Sequence, residues 1–353
     1  MNIEKFTVSN DPDLYEAFPD VVLTPGGKLI CVFNECTHHC DRSYTRIMLT
    51  ESTDRGRTWS PKHPLTEGTT GLSYYYNCPR ISRLADHRLV VIVDKIPRSG
   101  ETNAAQAKNV MYFSVDEGKN WSSPQDTALN GIVPDKVLQL DSGRIIIAAH
   151  YPYKGKLTEF LRYSDDACNT WSDEVMVAHD KRFDLCEASL LPMGNGVIVA
   201  FLRENSQRGL DCMKVISSDH GESWGPIVQF PLPGCHRPVA GWLQDGRIFI
   251  TFRFIQGGSW NGAATQNFFG ALTDQTSALA VRREDAGTRI MPIDYDASPK
   301  ADLGYSGWVQ FPDQEIYIVN YIVDDAMDKG QIRGYSIKPS TFLHKNPQSI
   351  ASI

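Results

Sequence analysis

The chain has 353 residues, 41% of them hydrophobic and 10% aromatic, with a formal net charge of −7. Both signs of charge are interspersed and no basic run occurs, which argues against nucleic acid as a partner, because phosphate binding needs a concentrated cationic surface. No stretch approaches the roughly 20 apolar residues that span a bilayer, and the opening "MNIEKFTVSNDPDLYEAF" has no apolar secretory core, so the expectation is a soluble, cytoplasmic protein without a membrane partner.

The first predicted element is a hairpin, "FPDVVLTPGGKLICVFNE" (18–35), two β-branched-rich runs around a glycine turn. A loop, "CTHHCDR" (36–42), follows, and a third apolar run, "RIMLTES", leads into "STDRGRTW" (52–59). "YYYN" (74–77) precedes a second hairpin at 78–95, and a third run recurs as "VMYFSVD" before "SVDEGKNW" (114–121). Further hairpins occupy 133–151, 186–204, 236–254 and 304–322, and the polar box returns as "SDDACNTW" (164–171) and "SSDHGESW" (217–224). After the fifth hairpin only a remnant, "LTDQTSALA" (272–280), stands in its place. The four boxes start 62, 50 and 53 residues apart, the spacing of a repeat architecture.

Within each box, Ser and Asp side chains are suited to bond the N–H groups of a tight turn, Gly supplies positive φ, and Trp packs beneath. The box is therefore expected to be a structural staple. Six units of three or four antiparallel strands, with no amphipathic helix between them, predict an all-β fold: a six-bladed β-propeller forming a single domain over 1–353. Eight cysteines in a chain of this length are expected to be mostly free thiols, not a disulfide scaffold.

The innermost strands of a propeller converge on its axis, so the starts of the first strands and the ends of the second strands crowd one mouth. The starts carry Asp20, Arg80, Asp135, Glu187, Arg237 and Tyr305, and the ends carry Glu35, Asp94, His150, Arg203, Arg253 and Tyr321. Burying unpaired charge is costly, so this polarity points to a site, with ring-stabilising ion pairs as the competing explanation. In "CTHHCDR", His38 or His39 is expected to touch substrate. Adjacent histidines in extended backbone point opposite ways and no second Cys/His pair has ligand spacing, so no metal and no cofactor is expected.

With its Asp boxes, or BNR repeats, and six hairpins, the chain resembles the sialidase (neuraminidase) superfamily over nearly its whole length. "CEASLLPMGNGVIVAFLREN" is similar to that family's Glu-strand-turn-strand-Arg segment, which implies that Glu187 is the catalytic glutamate and Arg203 a carboxylate-binding arginine. "GYSGWVQ" is similar to the segment holding the nucleophilic tyrosine, which implies that role for Tyr305. Sialic acid carries a carboxylate on its anomeric carbon, so a neutral tyrosine avoids the repulsion that an Asp or Glu nucleophile would meet, and sialidases are the tyrosine exception among glycosidases. A phenol of pKa about 10 needs a neighbouring base, here Glu187, and arginines grip carboxylates in planar, bidentate fashion.

The resemblance breaks at three places. Ala17, in "EAFPDVV", stands where the family has its first triad arginine, and "NYIVDD" offers Tyr321 and Ile322 where a supporting glutamate belongs. No carboxylate precedes the first box at the acid/base position, leaving Asp41 as the nearest replacement, with Asp20 and Asp135 as rivals. The reading is an exo-glycosidase that releases sialic acid or a related carboxylate sugar from an acidic glycan. Tyr305, Glu187 and Asp41 are expected to be catalytic, with Arg203, Arg237, Arg253, Arg80, Asp20, Asp135 and His38 binding substrate. A uronate-specific hydrolase, a propeller-type polysaccharide lyase and a non-catalytic binding propeller remain the alternatives.

Overall fold

The computed structural model describes residues 3–98, 104–260, 263–325 and 328–342. Every hairpin read from the sequence forms, and each gains outer strands to make six antiparallel sheets. Blade one runs Tyr15–Leu23, Leu29–His38, Asp41–Ser52 and His63–Pro64. Blade four, the most regular, runs Leu185–Gly194, Val197–Glu204, Asp211–Ser217 and Val228–Pro233. In blade two the inner strand is split into Tyr74–Tyr76 and Arg80–Arg83, both pairing with Leu89–Pro97. The ring closes where the N-terminal strand Glu4–Ser9 pairs with Gln331–Ile337 as the outer strand of blade six. The chain is thus an all-β, six-bladed propeller.

The alternating apolar residues of each strand pack against the neighbouring blade, not within their own sheet. Six buried clusters result, matching the six blade–blade seams; Val32 and Ile47 of blade one meet Ile81 and Val91 of blade two in one of them. Each fully buried side chain of this kind contributes about 1.5–3 kcal/mol.

The boxes are staples. In the first, Gly56 N–H donates to Ser52 Oγ at 2.8 Å, Thr58 N–H donates to Asp54 Oδ1 at 2.9 Å, and Trp59 Nε1 donates to Gly56 O at 3.1 Å. The Ser and Asp bonds recur at Ser114/Asp116, Ser164/Asp166 and Ser217/Asp219, without the tryptophan N–H bond of the first box. The remnant after blade five takes a different form. There Asp274 caps a short helix, Gln275–Leu279, by accepting from Ser277 N, and the helix carbonyls of Ser277 and Ala278 receive the buried Lys214 ammonium at 2.9 and 2.7 Å. The eight cysteines are free thiols.

One irregularity organises the centre. Every inner strand carries a bulge near its start, where two residues oppose one on the second strand. The ladder jumps from Ala17↔Asn34 to Asp20↔Val32 in blade one, from Cys186↔Arg203 to Ser189↔Phe201 in blade four, from His236↔Arg253 to Val239↔Thr251 in blade five, and from Gly304↔Tyr321 to Gly307↔Val319 in blade six. The first bulged residue is Phe18, Cys78, Val133, Glu187, Arg237 or Tyr305, and five of these six have φ between 49° and 56°. Left-handed backbone is uncommon for non-glycine residues and an outlier for a β-branched one such as Val133.

Candidate functional site

The register corrects the alignment read from sequence. Glu187, Arg237 and Tyr305 share one structural position, but Asp20, Arg80 and Asp135 come after the bulge, with Ser189, Val239 and Gly307. The two groups form separate layers. On the second strand, Asn34 and not Glu35 matches Asp94, His150, Arg203, Arg253 and Tyr321.

The layer after the bulge ties blades together. Asp20 Oδ2 accepts Ile81 N–H at 3.0 Å, Asp135 Oδ2 accepts Leu190 N–H at 2.7 Å, and Ser189 Oγ accepts Ala240 N–H at 3.0 Å, each bond reaching the next blade. Asp20 and Asp135 are buried and spent on backbone amides, so the expectation that they bind substrate is replaced by an interblade role. Gly307 leaves the room: a Cβ there would lie 2.0 Å from Asp20 Oδ1. Arg80, 2% exposed, donates to Ser306 O at 2.8 Å and Pro19 O at 3.3 Å. It anchors the peptide beside Tyr305 from below, a positioning contact and not the substrate contact expected.

The bulge layer brings the reactive groups together. The Tyr305 hydroxyl donates to Glu187 Oε1 in a short hydrogen bond. Arg203 Nη1 lies 2.9 Å from the same oxygen and 3.3 Å from the Tyr305 hydroxyl, and its Nη2 donates to Asn205 Oδ1 at 2.6 Å. The guanidinium carbons of Arg253 and Arg237 stand 5.2 and 5.8 Å from the Tyr305 ring centre. Arg253 donates to Leu303 O at 3.1 Å, and Arg237 donates to Pro134 O at 2.8 Å. Gly304 is what admits Arg253, since a Cβ there would meet the Arg253 side chain at 3.0 Å. Arg237 Nε and Nη1, Arg253 Nε, Arg203 Nε and Arg80 Nη2 are buried N–H donors with no protein partner. Orphaned donors of this kind cost about 1–3 kcal/mol each.

Electrostatics sets the resting proton positions. Burial, and then the Glu187 charge, push the Tyr305 phenol well above its ordinary range, so the proton stays on oxygen. Burial alone would raise Glu187, but Arg203, and behind it Arg237 and Arg253, overcome this and hold the carboxyl far below the usual range. Burial pushes His150 down to about 4, and this neutral ring accepts Glu187 N–H on Nδ1 at 3.4 Å. The site thus holds an ionised base against a protonated phenol among three cations.

Asp41 sits elsewhere. It is exposed at the tip of the blade-one hairpin, where its carboxylate accepts Ser43 N–H at 2.8 Å. That amide, and then the Ser43 hydroxyl, hold its pKa below the ordinary value, the opposite of what a proton donor needs, so the acid/base expectation for Asp41 is corrected. Of the adjacent histidines, His38 packs its ring edge on Tyr15 at 5.1 Å and accepts Cys40 N–H at 3.3 Å. His39 is the one turned inward: its ring meets Phe18 at 5.5 Å, and Nδ1 makes a short contact to Asp302. Both histidines line a cavity of 290 Å³ with Asp302 and Lys300.

Two residues beside this centre, Asp302 and Arg42, were not read from the sequence. Asp302 is a mostly buried carboxylate that accepts from the Tyr15 hydroxyl at 2.6 Å and the Tyr321 hydroxyl at 2.7 Å. Its position three residues before Tyr305 was the available signal. His39 was named only as an alternative to His38. Arg42, the last residue of "CTHHCDR", lays its guanidinium 5.2 Å from the Phe18 ring centre and donates to Asn34 Oδ1 at 3.3 Å. Asn34 is the ladder partner of Ala17, so a cation from a different strand sits beside the position where the expected arginine is absent. In "YYYN", Tyr76 is buried against Tyr112, and Tyr74 donates to Glu67.

A metal has one geometric candidate among the described residues, the converging carboxylates of Asp11, Glu16 and Glu35. The Lys62 ammonium already sits on all three at 2.8, 2.7 and 2.5 Å, so this cluster is a closed ion-pair network.

Residues 75–318 match the model of the BNR repeat-like domain. A sialidase from Paraclostridium sordellii is 26% identical over 213 residues, which is 51% of this chain and 52% of that protein, so the match spans about half of each. A protein of unknown function from Dyadobacter fermentans superimposes with a TM-score of 0.73 at 19% identity, covering 94% of this chain and 97% of the other. The intramolecular trans-sialidase from Ruminococcus gnavus superimposes with a TM-score of 0.68 at 15% identity, covering 96% and 98%. At such identities the structural likeness establishes the fold.

Proposed function

The chain belongs to the BNR repeat-like domain family, within the sialidase superfamily, and on that premise we propose that it is an exo-glycoside hydrolase releasing sialic acid or a related 2-keto acid sugar from a glycan. The observation that carries this reading is the Tyr305–Glu187 hydrogen bond set among Arg203, Arg237 and Arg253. Arg203, Arg237 and Arg253 are the cations gathered round Tyr305 for a carboxylate on the sugar, and each charge-assisted bond contributes about 1.5–3 kcal/mol. With the sugar so held, Tyr305 Oη attacks the anomeric carbon while Glu187 takes the phenolic proton. The bond to the aglycone oxygen breaks, that oxygen receives a proton, and water then cleaves the tyrosyl glycoside as Glu187 returns its proton to Tyr305. Arg42, beside Ala17, adds a further cation for the sugar carboxylate.

The test is hydrolysis of a fluorogenic aryl α-sialoside by the wild type and by Tyr305→Phe. The expected result is release by the wild type and a loss of at least about a hundredfold in the variant. No release by either protein would contradict the sialidase reading. An unsaturated product absorbing near the ultraviolet from a uronate glycan would replace it with the lyase.

A further inference from the structure

A glycosidic oxygen leaves well only if it is protonated as its bond breaks, and the site needs a group to do this. Of the carboxylates around Tyr305, Glu187 serves the phenol, Asp20 and Asp135 hold amides of neighbouring blades, and Asp41 points to solvent. Asp94 and Glu159 each give one oxygen to a backbone N–H and keep the other buried without a partner, closed to a bulky leaving group. The imidazole of His39 has no such commitment on its outer nitrogen. Its Nδ1 is fixed by Asp302, while its side chain stays 36% exposed. Asp302 is itself fixed by the hydroxyls of Tyr15 and Tyr321, with Arg253 Nη1 at 3.8 Å. The ring stands two aromatic contacts from the nucleophile: His39 on Phe18 at 5.5 Å, and Phe18 on Tyr305 at 5.0 Å. His39 also lines, with Tyr15, Asp302 and Lys300, a 290 Å³ cavity whose lining includes neither Tyr305 nor Glu187.

We propose that His39, oriented by Asp302, is the general acid and base of this site, a catalytic residue in the place of a carboxylic acid. The inference rests on the hydrolase reading above. In the first step His39 Nε2–H gives its proton to the glycosidic oxygen as the carbon–oxygen bond breaks, and Tyr305 Oη forms its bond to the sugar with its own proton passing to Glu187. In the second step neutral His39 takes a proton from the attacking water, the bond to Tyr305 Oη breaks, and the phenolate recovers its proton from Glu187. The carboxylate of Asp302 fixes the proton on Nδ1 and so leaves Nε2 as the atom that exchanges with substrate; Asp302 is a positioning residue.

The experiment compares wild type, His39→Gln and Tyr305→Phe on two sialosides, one with a 4-nitrophenyl leaving group and one, sialyllactose, with a sugar alcohol. An activated phenol leaves without a proton, whereas a sugar alcohol does not. His39→Gln is expected to keep kcat/KM on the aryl sialoside within about tenfold and to lose at least about a hundredfold on sialyllactose, while Tyr305→Phe loses both. Equal losses by His39→Gln on the two substrates would overturn the proposal and leave the hydrolase reading standing. Long-range 1H–15N spectra of the wild type give a readout without turnover. The neutral His39 ring is expected as the Nδ1–H tautomer, and the Nε2–H tautomer would overturn the positioning by Asp302. A wild type inert on both sialosides would overturn the hydrolase reading and the acid role together, whatever the tautomer.

Discussion

Blades four to six and blades one to three build the same bulge and fill it differently. At the first bulged residue the former carry Glu187, Arg237 and Tyr305, the latter Phe18, Cys78 and Val133. The residues opposite divide in the same way at their extremes, with Arg203 and Arg253 on one side and the amide of Asn34 on the other. Left-handed backbone persists at Phe18 and Val133, where no reactive group needs it. The strained turn is therefore a property of the propeller, and the chemistry comes from which side chain the turn aims at the axis.

The largest effect that separates the halves concerns activity. Glu187→Gln and Tyr305→Phe are expected to lower kcat/KM by at least about a hundredfold, roughly 2.7 kcal/mol of transition-state stabilisation, with the circular dichroism spectrum unchanged. Val133→Ala, at the same position in blade three, is expected to stay within about tenfold. Comparable losses at Val133 would erase the distinction.

Next comes pH-dependent stability on the apolar side. Glu159, on the blade-three strand Lys156–Ser164, is buried, and burial pushes its carboxyl up to about 8 despite the Ala188 N–H that it accepts. The unfolded chain releases that proton near the ordinary 4.5, so the folded state holds more protons between about pH 4.5 and 8. Stability linked to this group is complete below pH 4.5 and is lost as pH rises through 8. Denaturation midpoints of Glu159→Gln followed over that range should lack this fall; a slope equal to the wild type's would refute the assignment.

Smaller again is the interblade layer. Asp135→Ala strands the Leu190 amide and is expected to cost about 1–3 kcal/mol of stability, read as a lower urea midpoint, with kcat/KM nearly unchanged below the transition. A large loss of activity in a folded variant would return Asp135 to the site. The smallest effect expected is at Arg42: Arg42→Gln should raise KM about tenfold with kcat nearly unchanged, the signature of a lost ground-state contact. An unchanged KM would leave Ala17 without a compensating cation.

Much of this was legible in the sequence, for identifiable reasons. The hairpins and boxes repeat, and each repeat is a local structure whose turn residues and alternation are written in adjacent positions. Glu187, Arg203 and Tyr305 were legible through two local segments, and Arg253 through its place at a strand end. The layer to which Asp20, Arg80 and Asp135 belong was not legible, because a bulge shifts side-chain direction within two residues and leaves no compositional trace in strands rich in apolar residues. Asp302 and Arg42 escaped for another reason. Their partners, Tyr15 and Asn34, lie 287 and 8 residues away in sequence and meet them through ring closure and a hairpin tip.

The most direct test of the central claim is to trap the sugar on the enzyme. Wild type quenched in acid during turnover of the aryl α-sialoside, digested and mapped by mass spectrometry, should yield the peptide containing Tyr305 carrying one sugar residue, with none in Tyr305→Phe. A sugar found on Glu187, or turnover with no adduct on any peptide, would contradict the account and move the nucleophile away from Tyr305.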